Sequence, residues 1–142
     1  MHTEHLQNVR PSWVAFGWFL GAAVTSALLI ALIAVGLVDA VETGAGELWA
    51  LPAMFLGFAA GGYFVGARVG AAPILHAVGI GLFSIVVWFL ANLLFGEALD
   101  AETWSSLSPA FTAGLLLLQI VAAALGARVG SREARAATAA RG

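Results

Sequence analysis

The chain has 142 residues, 61% of them apolar and 10% charged, with a net charge of −2. A soluble domain carries roughly 25% charged residues, and a chain this short cannot hide so much apolar surface from water, so lipid is its natural solvent. The near-neutral balance makes no case for nucleic acid, and the absence of cysteine removes disulfides, thiol chemistry and thiolate metal sites.

Residues 1–12 are polar and lie outside the bilayer. His2 and His5 are two histidines near a terminus with no third histidine or cysteine beside them, and a structural metal site needs more. Span one, about Trp13–Val38, is uninterrupted by charge. Roughly 20 apolar residues cross the hydrocarbon core, so this run is a span and is too long for the apolar region of a signal peptide. Trp13 and Trp18 stand where an interfacial aromatic belt lies, and Gly17 and Gly21 form a small-residue step. The Thr25 and Ser26 hydroxyls are expected to bond back to the carbonyl one turn earlier.

An acidic turn, DAVETGAGE, leads to span two, about Leu48–Val69, with Pro52 in its first turn, where proline is tolerated. Gly62, Gly66 and Gly70 recur every four residues, as do Gly57 and Gly61. Residues four apart share a helix face, and a glycine face of this zipper kind lets a second backbone approach closely in lipid. Span three, about Ile74–Phe95, follows Pro73 and carries His76 in its first turn, with Ser84 and Asn92 deeper. A second acidic loop, 96–108, precedes Pro109 and span four, which runs to about Val129 with Gln119 as its polar residue. The arginine- and alanine-rich tail either continues span four as a helix or is disordered.

All six basic residues are arginines, at 10, 68, 128, 132, 135 and 141, in the N-terminal segment, the turn between spans two and three, and the C-terminal segment. Asp39, Glu42, Glu47, Glu97, Asp100 and Glu102 occupy the other two loops. Arginine marks the cytoplasmic side. Both termini are therefore expected in the cytoplasm, as an even number of spans requires of two ends on one side.

The chain also repeats itself. GARVG closes spans two and four, at 66–70 and 126–130, and the same shift of sixty lays Gly21 on Gly81, Gly36 on Gly96 and Glu42-Thr43 on Glu102-Thr103. Each copy holds two spans, so the expectation is a duplication of the parallel kind, its pseudo-twofold axis along the membrane normal. Spans one and two then form one hairpin and three and four the other. Spans two and four meet on their small faces, with Gly126 and Gly130 opposite the span-two glycines and Arg68 level with Arg128. Paired arginines at that level suit anionic headgroups or a partner's acidic patch, or simply snorkel to the interface.

The chemistry is sparse. No Asp, Glu, Lys or Arg lies deep in a span, where proton relays and ion pathways place them. Small multidrug transporters share the size and span count but need a glutamate embedded in the first span, which this chain lacks. Four-span fluoride channels insert in both orientations, against which the one-sided arginines argue. Ser84 has no histidine three or four residues away to activate it, His76 has no neighbouring ligand, and GARVG lacks the lysine and preceding strand of a phosphate loop. No enzyme site, metal or cofactor is expected. Asn92 and Gln119 read as interhelical hydrogen-bonding groups.

The run GGYFVGARVG followed by APILHAVGIGL resembles the YrzE-like small bacterial membrane proteins, at Gly61, Gly62, Gly66, Arg68, Leu75 and His76. The family has glycine after the histidine, where this chain has Ala77. The resemblance covers about a third of the chain and implies a four-span bacterial membrane fold, with no activity attached. The expected molecule is thus an all-α integral membrane four-helix bundle made of two parallel-repeat hairpins. It is expected to be a non-enzymatic accessory or interaction component of the bacterial inner membrane, embedded in the lipid bilayer and assembled as a homo-oligomer or with other membrane subunits, because small-residue faces outnumber those a single bundle needs. The competing expectation is a small transporter or channel on the repeat axis, lined by His76, Asn92 and Gln119.

Overall fold

The computed structural model describes residues 9–38, 45–70, 72–95 and 109–141, without the side chains at 45–48, 92, 95 and 109. His2, His5, most of the first acidic turn and the whole of the second acidic loop lie outside the described residues, as does the side chain of Asn92. The described chain is helical: α1 (Pro11–Ala34), α2 (Ala45–Val69), α3 (Pro73–Phe95) and α4 (Pro109–Ala139). All four are long and apolar enough to cross a membrane.

Proline opens three of them. At the first helical position its missing N–H costs nothing and its fixed φ suits the helix, as at Pro11, Pro73 and Pro109. Pro52 lies inside α2, two turns in. Helix α1 stops at Ala34 although the apolar run continues to Val38. The cause is Gly36 at φ 71°, with its N–H on the Ile33 carbonyl and the Leu37 N–H on Leu32, the paired bonds of a glycine-terminated helix end. At the other boundary α4 overshoots the expected end at Val129 by ten residues, reaching Ala139. Its 31 residues span about 46 Å, longer than a hydrocarbon core of about 30 Å, and its last three turns carry Arg132 and Arg135.

Helix α2 is the hub. Its closest neighbours are α4 on one side and α1 on the other, while α3 packs on α4 and α1. Two glycine pairs, one residue out of phase, make this possible. A Cβ at Gly57 or Gly61 would strike the backbone of α1 at Gly21 or Gly17, and one at Gly62 or Gly66 would strike the backbone of α4 at Ala123 or Ala127. From the opposite side, Gly126 lies on the Ala59 carbonyl and Gly130 on that of Tyr63. The α2–α4 seam is therefore backbone against backbone, with glycine supplied by both helices.

These reciprocal contacts set the register. Exchanging the two helices matches Gly62 with Gly126 and Gly66 with Gly130, an offset of 64, where the sequence repeat has 60. The seam is slid by four residues, about one helical turn, so Arg68 is level with Arg132, and Arg128 lies about 6 Å deeper. Gly70 does not pack as expected. Nothing lies within 4 Å of where its Cβ would be, and its φ of 65° with an N–H bond to Gly66 makes it the cap of α2.

The packed core sits at the arginine-bearing end. Val14, Val65, Ala77, Ile80, Ala123 and Ala127 are buried there, under Gly17 and Gly79. Toward the other end the helices expose Ile30, Ile33, Leu90, Leu93, Leu94 and Leu117, a surface suited to lipid.

Candidate functional site

The polar side chains inside the bundle form two clusters. The first joins the starts of α1 and α3. His76 is fully buried. Its Nε2 accepts the backbone N–H of Arg10 at 3.1 Å, and its Nδ1 lies 2.9 Å from the Ala72 carbonyl. With Nε2 accepting, the neutral tautomer carrying hydrogen on Nδ1 satisfies both contacts. Arg10 is the N-cap residue of α1 and has no side-chain cap. A histidine from a different helix thus does for the cap N–H what a capping-box glutamate does locally. The same Ala72 carbonyl accepts the His76 backbone N–H, and Ala72 itself stands at φ 46°. The ring anchors the first turn of α3 as well as joining two helices.

The second cluster crosses all four helices. Trp18 of α1 donates its indole N–H to Ser84 Oγ of α3 at 2.7 Å. Ser84 donates in turn to Gln119 Oε1 of α4 through a short bond. Gln119 Nε2 donates to the Met54 sulfur of α2 at 3.5 Å. Gln119 is 9% exposed and lies nine residues before Arg128, about 14 Å along the helix, near the middle of a core of about 30 Å. Trp18 is therefore a bundle residue, edge-on to Phe19 and Phe83, although its place near the start of span one suggests the aromatic belt. No spacing in the sequence marks this role, because neighbouring residues lie about 100° apart round a helix.

Beside this chain of hydrogen bonds, α3 and α4 part to leave a crevice of about 300 Å³, lined by Ser84, Ile85, Trp88, Thr112, Leu115, Leu116 and Gln119. A second opening of about 270 Å³ between α1 and α2 is lined by Leu28, Ala31, Leu32, Val35, Trp49, Pro52, Ala53 and Leu56, with no hydrogen-bonding side chain apart from the Trp49 indole. At the arginine end a shallower groove of about 210 Å³ runs past Ile74, Val121, Ala124 and Leu125 to the Arg128 guanidinium.

Of the residues expected to line a path on the repeat axis, His76 and Gln119 are both placed in bonded clusters, and they do not meet. Between α2 and α4, glycine and carbonyl fill the seam at Gly62, Gly66, Gly126 and Gly130. Thr25 donates to the Gly21 carbonyl at 2.8 Å, the back-bond expected of it. At the arginine end Tyr63 donates to Glu133 at 2.6 Å, joining α2 to the C-terminal part of α4. Arg135 folds back on Ser131, and Arg10, Arg68, Arg128, Arg132, Arg135 and Arg141 are exposed. Among the described residues no three His, Asp or Glu side chains converge as a metal site would need. Four apolar helices of spanning length support a multi-pass membrane protein. Comparison with protein-family models, curated proteins and solved structures finds no match.

Proposed function

We propose that the chain is a non-enzymatic accessory component of the bacterial inner membrane, with both termini in the cytoplasm, acting through its arginine-bearing end. One observation carries this reading: the exposed arginines gather at a single end of the bundle, with Arg128, Arg132 and Arg135 on α4, which at 31 residues is longer than a span needs. Basic groups beside a span favour the anionic cytoplasmic leaflet, and an exposed helix with Arg128, Arg132 and Arg135 offers a partner an accessible charged surface. The reciprocal α2–α4 contacts support descent from a duplicated hairpin, and the likeness to YrzE-like proteins is part of the same proposal.

The small-residue faces no longer argue for a homo-oligomer, because Gly17, Gly21, Gly57, Gly61, Gly62, Gly66, Gly126 and Gly130 all make contacts within the chain. A second copy or another subunit has to dock on lipid-facing side chains or on the C-terminal end of α4. Native mass spectrometry of the full chain in mild detergent tests the proposal. A retained partner, lost when Arg128, Arg132 and Arg135 become alanine, is the expected result. A lone monomer, in either form, contradicts it.

A further inference from the structure

We propose that the crevice between α3 and α4 binds a lipid-soluble ring compound carrying a carbonyl oxygen, the chemistry of a quinone. The wall is mostly apolar and aromatic, formed by Ile85, Trp88, Leu115 and Leu116 with Thr112 among them, and at about 300 Å³ the space is at the small end of ligand pockets. It suits a ring rather than a whole phospholipid. Ile85 and Trp88 are exposed on the outer surface of α3, so the mouth faces lipid and a ligand enters from the bilayer.

The polar floor selects the ligand. Gln119 presents a carboxamide whose Nε2 has two hydrogens, and the acceptor it meets is the Met54 sulfur at 3.5 Å. A thioether is a weak acceptor, and in hydrocarbon no water is at hand to improve on it. A ligand carbonyl is the stronger acceptor that this amide lacks. Its oxygen must reach mid-bilayer, because Gln119 and Ser84 both lie about 14–16 Å from the arginine ends of their helices. Acyl ester carbonyls sit at the interface, whereas a hydrophobic ring ketone travels at that depth. Simple acyl tails fill the space but leave the amide on sulfur. Held by Ser84, which is itself oriented by the Trp18 indole, the carboxamide is fixed before the ligand arrives.

The test is a titration of the full chain in lipid nanodiscs, following the Gln119 side-chain amide and Trp88 indole resonances by NMR. Three probes are added separately: menadione, methylnaphthalene with the same ring outline but no carbonyl, and methyl oleate with an ester carbonyl on an acyl chain. Menadione is expected to move both resonances saturably, methylnaphthalene to bind about three- to tenfold more weakly for want of one hydrogen bond, and methyl oleate to leave the amide unmoved. Gln119→Leu, followed at Trp88, is expected to erase the preference for menadione. Equal binding of methylnaphthalene, tighter binding of methyl oleate, or no response to menadione overturns the proposal, and the wild-type titration decides this whether or not the variant folds.

Discussion

The α1–α2 and α3–α4 contacts are built differently. In α1–α2 the contact is backbone on backbone, because Gly57 and Gly61 face Gly21 and Gly17. In α3–α4 it runs through side chains: Ile120 fills the space over Gly81, and Ser84 bonds to Gln119. Positions sixty residues apart do different things. Sixty residues after Gly57 and Gly61 stand Leu117 and Val121, which are 62% and 50% exposed and face away from the bundle. The α3–α4 contact therefore does not use these positions, and the crevice beside Gln119 lies between the two helices. The α1–α2 pair also parts, but the space there is lined by apolar side chains and the Trp49 indole, beyond reach of the polar cluster. The α1–α2 pair closes backbone to backbone at Gly57 and Gly61, and the α3–α4 pair retains a cavity with a hydrogen-bonding floor.

Substitutions sharpen that contrast. The largest effect is expected at the shared seam. Gly126→Val drives a branched side chain into the Ala59 carbonyl, and overpacking against backbone, which cannot rotate away, costs about 3 kcal/mol or more. Thermal unfolding in detergent should show loss of the folded protein or a fall in Tm of many degrees. Next comes His76→Ala, which strands the Arg10 N–H and leaves a buried void. The two losses together cost about 2–4 kcal/mol, read as a lowered midpoint in chemical denaturation. The direct comparison of the two contacts is Gly57→Ala against Leu117→Ala. The first meets the Thr25 hydroxyl and the Gly21 carbonyl and should cost about 1–3 kcal/mol. The second removes a lipid-facing side chain and should stay within about 0.5 kcal/mol. If the two variants melt alike, the two contacts are not built differently. Gln119→Leu should cost about 0.6–1.7 kcal/mol, the range of interhelical hydrogen bonds in membranes. Smallest is Gly114→Ala, where nothing lies within 4 Å. Helix propensity favours alanine there by up to about 1 kcal/mol, so a slightly raised Tm is expected.

Much of the fold was legible in residue order. Helix starts followed Pro73 and Pro109, span lengths followed from hydropathy, and the spacing of Gly62, Gly66, Gly126 and Gly130 announced the α2–α4 seam. Register was not legible. The shared GARVG aligns 66–70 with 126–130 at a shift of sixty, but contact forms where a missing Cβ meets a carbonyl, and that choice falls one turn away. Nor does spacing say which glycine pair serves which neighbour. Gly57 and Gly61 are surplus to the α2–α4 seam and make the α1 contact instead. Gly70 shares the four-residue rhythm of Gly62 and Gly66 but has left the helical φ, a change that periodicity does not record. The end of α1 illustrates the same limit. Hydropathy runs on to Val38, while a single glycine at 36 turns the chain at Ala34. His76 and Gln119 were visible as isolated polar residues. Their partners were not, because a backbone N–H like that of Arg10 belongs to nearly every residue and the Trp18 indole reads as interfacial.

Solid-state NMR of the protein in liposomes, labelled at glycine Cα and alanine carbonyl carbon, addresses the seam itself. Cross-peaks joining Gly62 to Ala123, Gly66 to Ala127 and Gly126 to Ala59 are expected together. Spectra in which those three are missing, while peaks within α2 and α4 remain strong, would mean that the two helices do not meet backbone to backbone and that the bundle is not built around a glycine seam.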